Sequence, residues 1–598
     1  MMNEPQLKKI PYGIANYNQF REENLYFVDK TRFIRNIEDK GSYLFFIRPR
    51  RFGKTLLLSI LHIYYDIAWK EQFDFLFKGT DIYENPTTEK NTYLVLKFDF
   101  SAVDPEISRV EKSFLYYVKD AADFFLSQYR AYLDIDIDLN KAKEELNSRQ
   151  SPSSLMNTFL KYCKGKGRKI FVIIDEYDNF ANTILSTAGE GEYQRLTHGE
   201  GFFRSFFNVL KSGTSGPDAP ISRLFMTGVS PITLDDVTSG FNIGSNISMD
   251  SDINEILGFT HNEVESIVEY YRQTGKIRHS TPELLEMMSR WYNHYRFSLH
   301  SGSEVFNTVH VLYFLKEYMI DSRFPDTVID HNAMIDYTKL RHLIISDKKG
   351  LPQSNGNFSK LRQIMENDSI HSSIVKTFPV VKLVKPENFI SLLYHFGLLT
   401  IAGVDEENKA VLKIPNESIK RLYYDYIKET YEETGILTLD LSRYEAAMKE
   451  MAFKGKWKPL IDYLVKQMGA SMGIRDLIMG EKAIQSFLNV YLGLSDLYLV
   501  HSEKELEKGY ADLVLVPFLA QYPQLKYSYL IEIKYIKARG KNKEFTPGSI
   551  ESIKKKAVSQ LDRYSPDEKF QKTIGKTTLV KVILVFSGHR LVYRGEVD

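Results

Sequence analysis

Two stretches of this 598-residue chain carry residue types and spacings suited to phosphate chemistry. The first is Arg48-Pro-Arg-Arg-Phe-Gly53-Lys54-Thr55, between an apolar run and a helix-compatible run. Gly53 lets the backbone curl around an anion. Lys54 can reach the β- and γ-phosphates of ATP, and the Thr55 hydroxyl can hold Mg2+. A helix start at this point adds N–H groups and the positive end of the helix dipole. Arg48 stands where such loops usually carry their first glycine, so the match is incomplete. The partner stretch is Lys169-Ile-Phe-Val-Ile-Ile-Asp175-Glu176, an apolar strand ending in two carboxylates. Asp175 is expected to orient Mg2+, and Glu176 to polarise an attacking water as general base. A third apolar run ends at Thr227 and Ser230. Thr227 reads equally well as a γ-phosphate sensor or as an ordinary strand-end hydroxyl. Arg48, Arg50 and Arg51 either bind phosphate, of this or a neighbouring subunit's nucleotide, or balance an acidic body.

The second constellation lies near the C-terminus. Asp512 opens the strand-like run Gly509-Tyr-Ala-Asp-Leu-Val-Leu-Val, and Tyr529-Leu-Ile-Glu532-Ile533-Lys534 follows twenty residues later. The two-residue period of a strand puts Glu532 and Lys534 on one face and Ile533 on the other. Two carboxylates and a lysine on adjacent strands can share Mg2+, or Mn2+, and activate a water beside a phosphodiester. Glu481, on a preceding helix, is the candidate third ligand. A bare Glu-x-Lys is common on sheet surfaces, so Asp512 and Glu481 carry the weight of this reading. Lys554-Lys-Lys556, on an expected helix, either meets nucleic-acid phosphates or forms a solvated face.

These groups need elements to position them. Apolar runs at Tyr43–Ile47, Tyr93–Phe100, Lys169–Ile174 and Arg223–Thr227 alternate with helix-compatible stretches such as Val110–Tyr132. That alternation predicts an α/β fold with a parallel P-loop sheet. From 256 to 450 the pattern turns mostly helical, with a capping box at Thr260–Glu263 and a second helix start at Thr281-Pro282. Residues 345–360 read as a polar, turn-rich loop. From 461 the order reads helix, strand, strand, helix, strand. The expected domains are a nucleotide-binding core over 1–255, a helical lid and connector over 256–450, and a small α/β domain over 451–598.

Composition narrows the class. Hydrophobic residues make up 43% and charged residues 26%, as in folded soluble proteins, which excludes a disordered or collagen-like chain. One cysteine, Cys163, excludes an internal disulfide framework and any cysteine-based zinc cluster. No apolar run reaches the roughly 18 residues that cross a membrane, and the start shows no signal-peptide pattern, so a cytoplasmic protein is expected. The net charge of +1 hides an asymmetry: residues 451–598 hold 24 Lys+Arg and 16 Asp+Glu, leaving 54 and 61 for the rest. A basic C-terminal part points to a polyanionic partner, or to no more than an unevenly charged surface.

Tyr26-Phe-Val-Asp-Lys-Thr31, the Arg48–Thr55 loop, Asp175-Glu-Tyr-Asp178, Thr227-Gly-Val-Ser-Pro231, Leu257-Gly-Phe-Thr260, Trp291-Tyr-Asn-His-Tyr-Arg-Phe297, Val305-Phe-Asn307 and Ile414-Pro-Asn416 together resemble the bacterial AAA-ATPase-like family. An arginine in place of the first loop glycine is normal there. His294 stands where that family usually has glycine, so a different turn is expected if that glycine needs positive φ. The resemblance implies a P-loop NTPase core, a helical lid and a C-terminal nuclease-like domain. Asp512, Glu532, Lys534 and Gln560-Leu-Asp-Arg-Tyr564 are similar to PD-(D/E)XK nucleases, with Ala511 in place of proline. The expected activity is ATP hydrolysis coupled to Mg2+-dependent cleavage of nucleic acid, DNA foremost. A nucleotide-switched signalling or assembly protein is the alternative, and a homo-oligomer is compatible with either. The base-contacting residues are expected in the aromatic N-terminal segment near Tyr26.

Overall fold

The computed structural model describes residues 7–133, 139–238, 243–325, 327–330, 357–367, 369–433, 439–470, 480–506, 509–536 and 547–597. Most of the polar loop expected at 345–360 therefore lies outside the described residues. The chain divides into two compact units, one built mainly on 7–323 and 371–416, the other on 357–367 and 417–597.

In the first unit, Tyr43–Ile47 (β1), Tyr93–Asp99 (β2), Lys169–Asp175 (β3), Ile221–Gly228 (β4) and Ser245–Asn246 (β5) form one sheet in the order β2-β3-β4-β1-β5. Every neighbouring pair is parallel. Strands covered on both faces must be apolar throughout, which is why β1 and β3 read as unbroken hydrophobic runs rather than alternating ones. Lys54–Tyr65 (α1) follows β1, Val110–Gln128 (α2) follows β2 and Asn179–Ala188 (α3) follows β3. Register pairs Asp99 with Asp175 and Ile47 with Gly228, so the carboxyl ends of β1 to β4 share one edge. In parallel α/β sheets that edge is where ligands bind.

His261–Gln273 (α4) starts on the expected capping box of Thr260 and Glu263. Thr281–Tyr292 (α5) starts on another, Ser280 with Glu283, and carries Pro282 in its first turn. Thr308–Asp321 (α6) follows. The expected helical run is interrupted by an antiparallel hairpin, Thr400–Val404 with Ala410–Lys413. Its strands are short and leave the sheet within a few residues, so they carry little apolar periodicity.

In the second unit, helices Glu417–Glu433, Leu441–Lys454, Lys458–Ala470 and Glu481–Gly493 (α7) accompany a five-stranded sheet. Its strands are Tyr498–Leu506 (β6), Gly509–Pro517 (β7), Tyr527–Tyr535 (β8), Thr578–Ser587 (β9) and Arg590–Val597 (β10), hydrogen-bonded in sequence order. Only β8 and β9 are parallel, and that crossover contains Pro547–Tyr564 (α8), because parallel neighbours cannot be joined by a tight turn. The strands β6 and β10 go beyond the sequence expectation. Both are edge strands, and β6 carries the polar run His501-Ser-Glu-Lys-Glu505, which hides a strand from a hydrophobicity reading. Among the described residues no helix is long and apolar enough to cross a membrane.

Candidate functional site

Between β1 and α1 the chain turns through Arg48–Gly53. Arg51 at φ +70 and Gly53 at φ +100 are both left-handed, and only the glycine adopts that conformation without steric cost. Lys54 is buried, and its ammonium folds back over the loop to donate to the carbonyls of Arg48 and Pro49, each at 3.1 Å. Burial pushes its pKa down, against the opposing pull of Glu176, Asp175 and Asp178. The same three carboxylates show that the loop and the end of β3 face one another.

Burial, then the neighbouring Glu176 charge, raises Asp175 to about 6, while a hydrogen bond from Thr55 and the Lys54 charge work the other way. Thr55 and Asp175 thus present hard oxygens to one point, which suits Mg2+. The Glu176 N–H donates to Asp175 Oδ1 at 2.9 Å, and Asn179 Nδ2 donates to the Glu176 carboxylate at 3.2 Å. Glu176 itself is held at φ +48.

Arg51, Gly53, Lys54, Thr55, Asp175 and Glu176 all border one cavity of about 820 Å3. The N-terminal segment closes another side with Ile14, Phe20, Tyr26 and Phe27, an apolar compartment of the kind a nucleobase occupies. Tyr26 is backed by Tyr270 and Tyr271, with ring centroids 5.1 and 5.8 Å away. The sequence reading missed a third wall, the Asn179, Asn182, Thr183, Ser186 and Thr187 face of α3. Its signal was present as small polar residues at helical spacing directly after the two carboxylates.

Other candidates stand elsewhere. Thr227 is buried and donates its hydroxyl to the Phe46 carbonyl at 2.7 Å, so it ties β4 to β1 and does not border the cavity. Ser230 is likewise buried off the cavity wall. Arg50 and Arg51 border the cavity, but Arg48 does not. The Arg48 guanidinium is buried against the rings of Phe46 and Phe297, 4.5 and 4.3 Å from their centroids, and donates to the carbonyls of Ile47, Ser248 and Ile253. It anchors the loop to the segment after β5. His294 does adopt positive φ, at +74, so the turn keeps the glycine-like conformation with a histidine in it.

In the second unit, β7 and β8 pair antiparallel, and the Ile533 N–H donates to Asp512 Oδ2 at 2.7 Å. Lys534 Nζ stands 2.6 Å from Glu532 Oε1 and 3.8 Å from Asp512 Oδ2. The strand period thus brings Asp512, Glu532 and Lys534 together. Burial raises the pKa of both carboxylates, Asp512 raises Glu532 further, and Lys534 opposes both shifts. Glu481, the first residue of α7, is near enough to raise both as well, yet its Oε2 accepts from the Tyr535 N–H at 3.2 Å. Among the described residues no three His, Cys, Asp or Glu side chains are gathered so as to hold a metal ion. Glu532 Oε2 is nevertheless buried without a hydrogen-bond partner beside Asp512, and two hard carboxylates with a free lone pair suit Mg2+ or Mn2+. Gln485, which sequence reasoning passed over, donates to the Asp512 carbonyl at 2.6 Å and fixes β7 against α7.

Residues 11–238 match the family model described as Predicted AAA-ATPase, and residues 479–596 match that of the PD-(D/E)XK nuclease superfamily. The chain therefore carries an AAA-ATPase-like domain and a C-terminal PD-(D/E)XK nuclease superfamily domain. An Azotobacter chroococcum mcd 1 protein, described as an uncharacterized protein in the vnfD 5' region, is 24% identical over 426 residues, 69% of this chain and 68% of that one. The Walker-type ATPase PABY2304 of Pyrococcus abyssi aligns at 11% identity with a TM-score of 0.37, covering 71% of this chain and 99% of its own.

Proposed function

We propose that the chain hydrolyses ATP in its first unit and that this turnover governs metal-dependent phosphodiester cleavage of nucleic acid, DNA foremost, in its second. The observation that carries the first half is the shared cavity. Lys54 and Thr55 at the start of α1, and Asp175 and Glu176 at the end of β3, far apart in sequence, border one space that also has an apolar compartment for a base. Lys54 leaves its two carbonyls to meet the terminal phosphates. Thr55 and Asp175 would hold Mg2+, and Glu176 orients and deprotonates water.

For the second half, Asp512 and Glu532 would hold the cation, and Lys534 neutralises charge at the scissile phosphate. A divalent cation supplies Lewis-acid polarisation of the phosphodiester when bound there. The basic balance of residues 451–598, 24 against 16, favours a polyanion.

One observation favours a second reading, in which the nuclease fold binds nucleic acid without cutting it and the chain acts as a nucleotide-switched assembly protein. Lys534 already pairs with both carboxylates, and Glu481 is engaged elsewhere.

The deciding experiment incubates single- and double-stranded DNA and RNA with Mg2+ or Mn2+, with and without ATP, for the natural chain, Lys54→Ala and Glu532→Ala. Cleavage lost in Glu532→Ala, with an ATP effect lost in Lys54→Ala, is the expected result. ATP hydrolysis with nucleic-acid binding but no cleavage would establish the second reading.

A further inference from the structure

We propose that Asp178, two residues beyond Glu176, is the positioning residue that keeps Glu176 in its left-handed backbone conformation, and that turnover at the nucleotide site depends on it. The inference rests on the reading of Glu176 as the water-activating base.

Asp178 occupies the N-cap of α3, where an aspartate normally accepts from the N–H groups of its own helix. It makes no such bond. Its buried Oδ2 accepts instead from the Val229 N–H at 3.1 Å, from the Ser230 N–H, and from Asn182 Nδ2 at 2.8 Å. The carboxylate therefore gives up a local cap to tie the end of β3 to the end of β4. Tyr177 adds two bonds in the same direction, from its N–H to the Thr227 carbonyl at 3.3 Å and from its hydroxyl to the Ser230 carbonyl.

Glu176 lies directly before these ties, at φ +48. A non-glycine residue there costs about 1 kcal/mol and persists only where its surroundings over-determine it. On its other side Glu176 is the next residue after Asp175, which is fixed in register with Asp99. With both flanks held, the turn at φ +48 keeps the Glu176 side chain on the cavity wall. Without the ties to Val229 and Ser230, Glu176 is free to relax toward negative φ, which redirects its Cα–Cβ bond and moves the carboxylate away from the water it must deprotonate.

The oxygen, rather than the charge, is what this role requires. Asp178 Oδ1 is buried without a hydrogen-bond partner, so an asparagine that puts its amide nitrogen there loses no existing bond and keeps an acceptor at the Oδ2 position. Alanine would leave three buried donors unsatisfied.

The test is a mutant cycle on the full chain, reading ATP turnover and, separately, the dissociation constant of a fluorescent ATP analogue. Asp178→Ala is expected to lower kcat about 30-fold or more while nucleotide affinity changes less than about 3-fold. Asp178→Asn is expected to restore most of the rate. In the Glu176→Gln background, Asp178→Ala is expected to cost nothing further, because residues acting as a unit are non-additive. The proposal is overturned if Asp178→Ala keeps full turnover, if its loss is equally large in the Glu176→Gln background, or if Asp178→Asn is as damaging as alanine. Should Asp178→Ala not accumulate as folded protein, Tyr177→Phe enters the same cycle. A rate loss that vanishes beside Glu176→Gln supports the proposal, and one that persists overturns it. Full turnover in Glu176→Gln alone would instead remove the base assignment, and with it the premise.

Discussion

Lys534 Nζ lies 2.6 Å from Glu532 Oε1, two residues back on the same strand face. Glu532 is almost wholly buried, so the pair exchanges solvation for one close contact, and removing one partner strands the other. Lys534→Met is therefore expected to destabilise the second unit by about 3 kcal/mol, the usual scale for breaking a buried pair. The double variant Glu532→Gln with Lys534→Met is expected to recover most of that loss. Mg2+ should raise the unfolding midpoint of Lys534→Met more than that of the natural chain, since the cation then takes over the lysine's neutralising role. Thermal unfolding with and without Mg2+ reads all three. A Lys534→Met midpoint that ignores Mg2+ would mean that the carboxylates do not hold a cation.

Acid should loosen the first unit through two histidines. His310 and His395 are fully buried, and burial pulls each down from the ordinary 6.5 to about 4. His310 has neither ring nitrogen hydrogen-bonded, and His395 Nε2 donates to the Val375 carbonyl at 3.1 Å. A histidine depressed on folding adds stability that is fully present above pH 6.5 and is lost as pH falls toward 4. At pH 5 each should cost about 2 kcal/mol relative to neutral pH. His310→Phe removes one of these losses without adding a polar group, so its unfolding midpoint should fall less between pH 7.5 and pH 5. Parallel curves for the two proteins would show that His310 titrates normally.

The parts of the site that were legible in the sequence are those where local order fixes geometry. Glu532 and Lys534 share a face because a strand repeats every two residues. Lys54 and Thr55 open a helix because a glycine precedes a continuous apolar run. Asp175 ends its strand where the hydrophobic run stops. What could not be read depends on contacts between distant segments. Arg48, by its place in the loop, reads as either a phosphate ligand or a charge balancing an acidic body. Its direction is set instead by Phe297 and the carbonyls of Ser248 and Ile253, all 200 or more residues away in sequence. Thr227 reads from the sequence as either a γ-phosphate sensor or an ordinary strand-end hydroxyl, and the pairing of β4 with β1 decides it by offering the Phe46 carbonyl. The polar edge strand β6 shows no apolar run because half its length serves only to pair with β7.

His294 presents a stability test of backbone strain. It holds φ +74 and bonds through Nδ1 to Glu304 Oε2 at 2.7 Å, with more than a third of its side chain exposed. An exposed pair of this kind contributes a few tenths of a kcal/mol. The left-handed conformation costs a non-glycine residue about 1 kcal/mol. The strain outweighs the pair, so His294→Gly is expected to leave stability unchanged or raise it by up to about 0.5 kcal/mol after the entropy cost of glycine. His294→Ala removes the pair and keeps the strain, so it should be less stable than either. Chemical denaturation ranks the three. An alanine variant at least as stable as the glycine one would show that strain at this turn is negligible.

Gly228 is the point where packing and turnover meet. A Cβ added there would stand 2.4 Å from Asp178 Oδ1 and 2.4 Å from a Tyr177 ring carbon. Both neighbours belong to the turn that follows Glu176, and neither can retreat without breaking its ties to Val229 or Ser230. Gly228→Ala should therefore cost about 1–3 kcal/mol by overpacking. It should also lower ATP turnover about 10-fold, because the displaced turn carries Glu176 with it. Lys54 and Thr55 are on a different turn, so nucleotide affinity should change far less than the rate. Turnover, nucleotide binding and unfolding measured on one preparation separate these effects. A variant that loses stability but keeps its full rate would show that the turn can yield at Gly228 without moving Glu176.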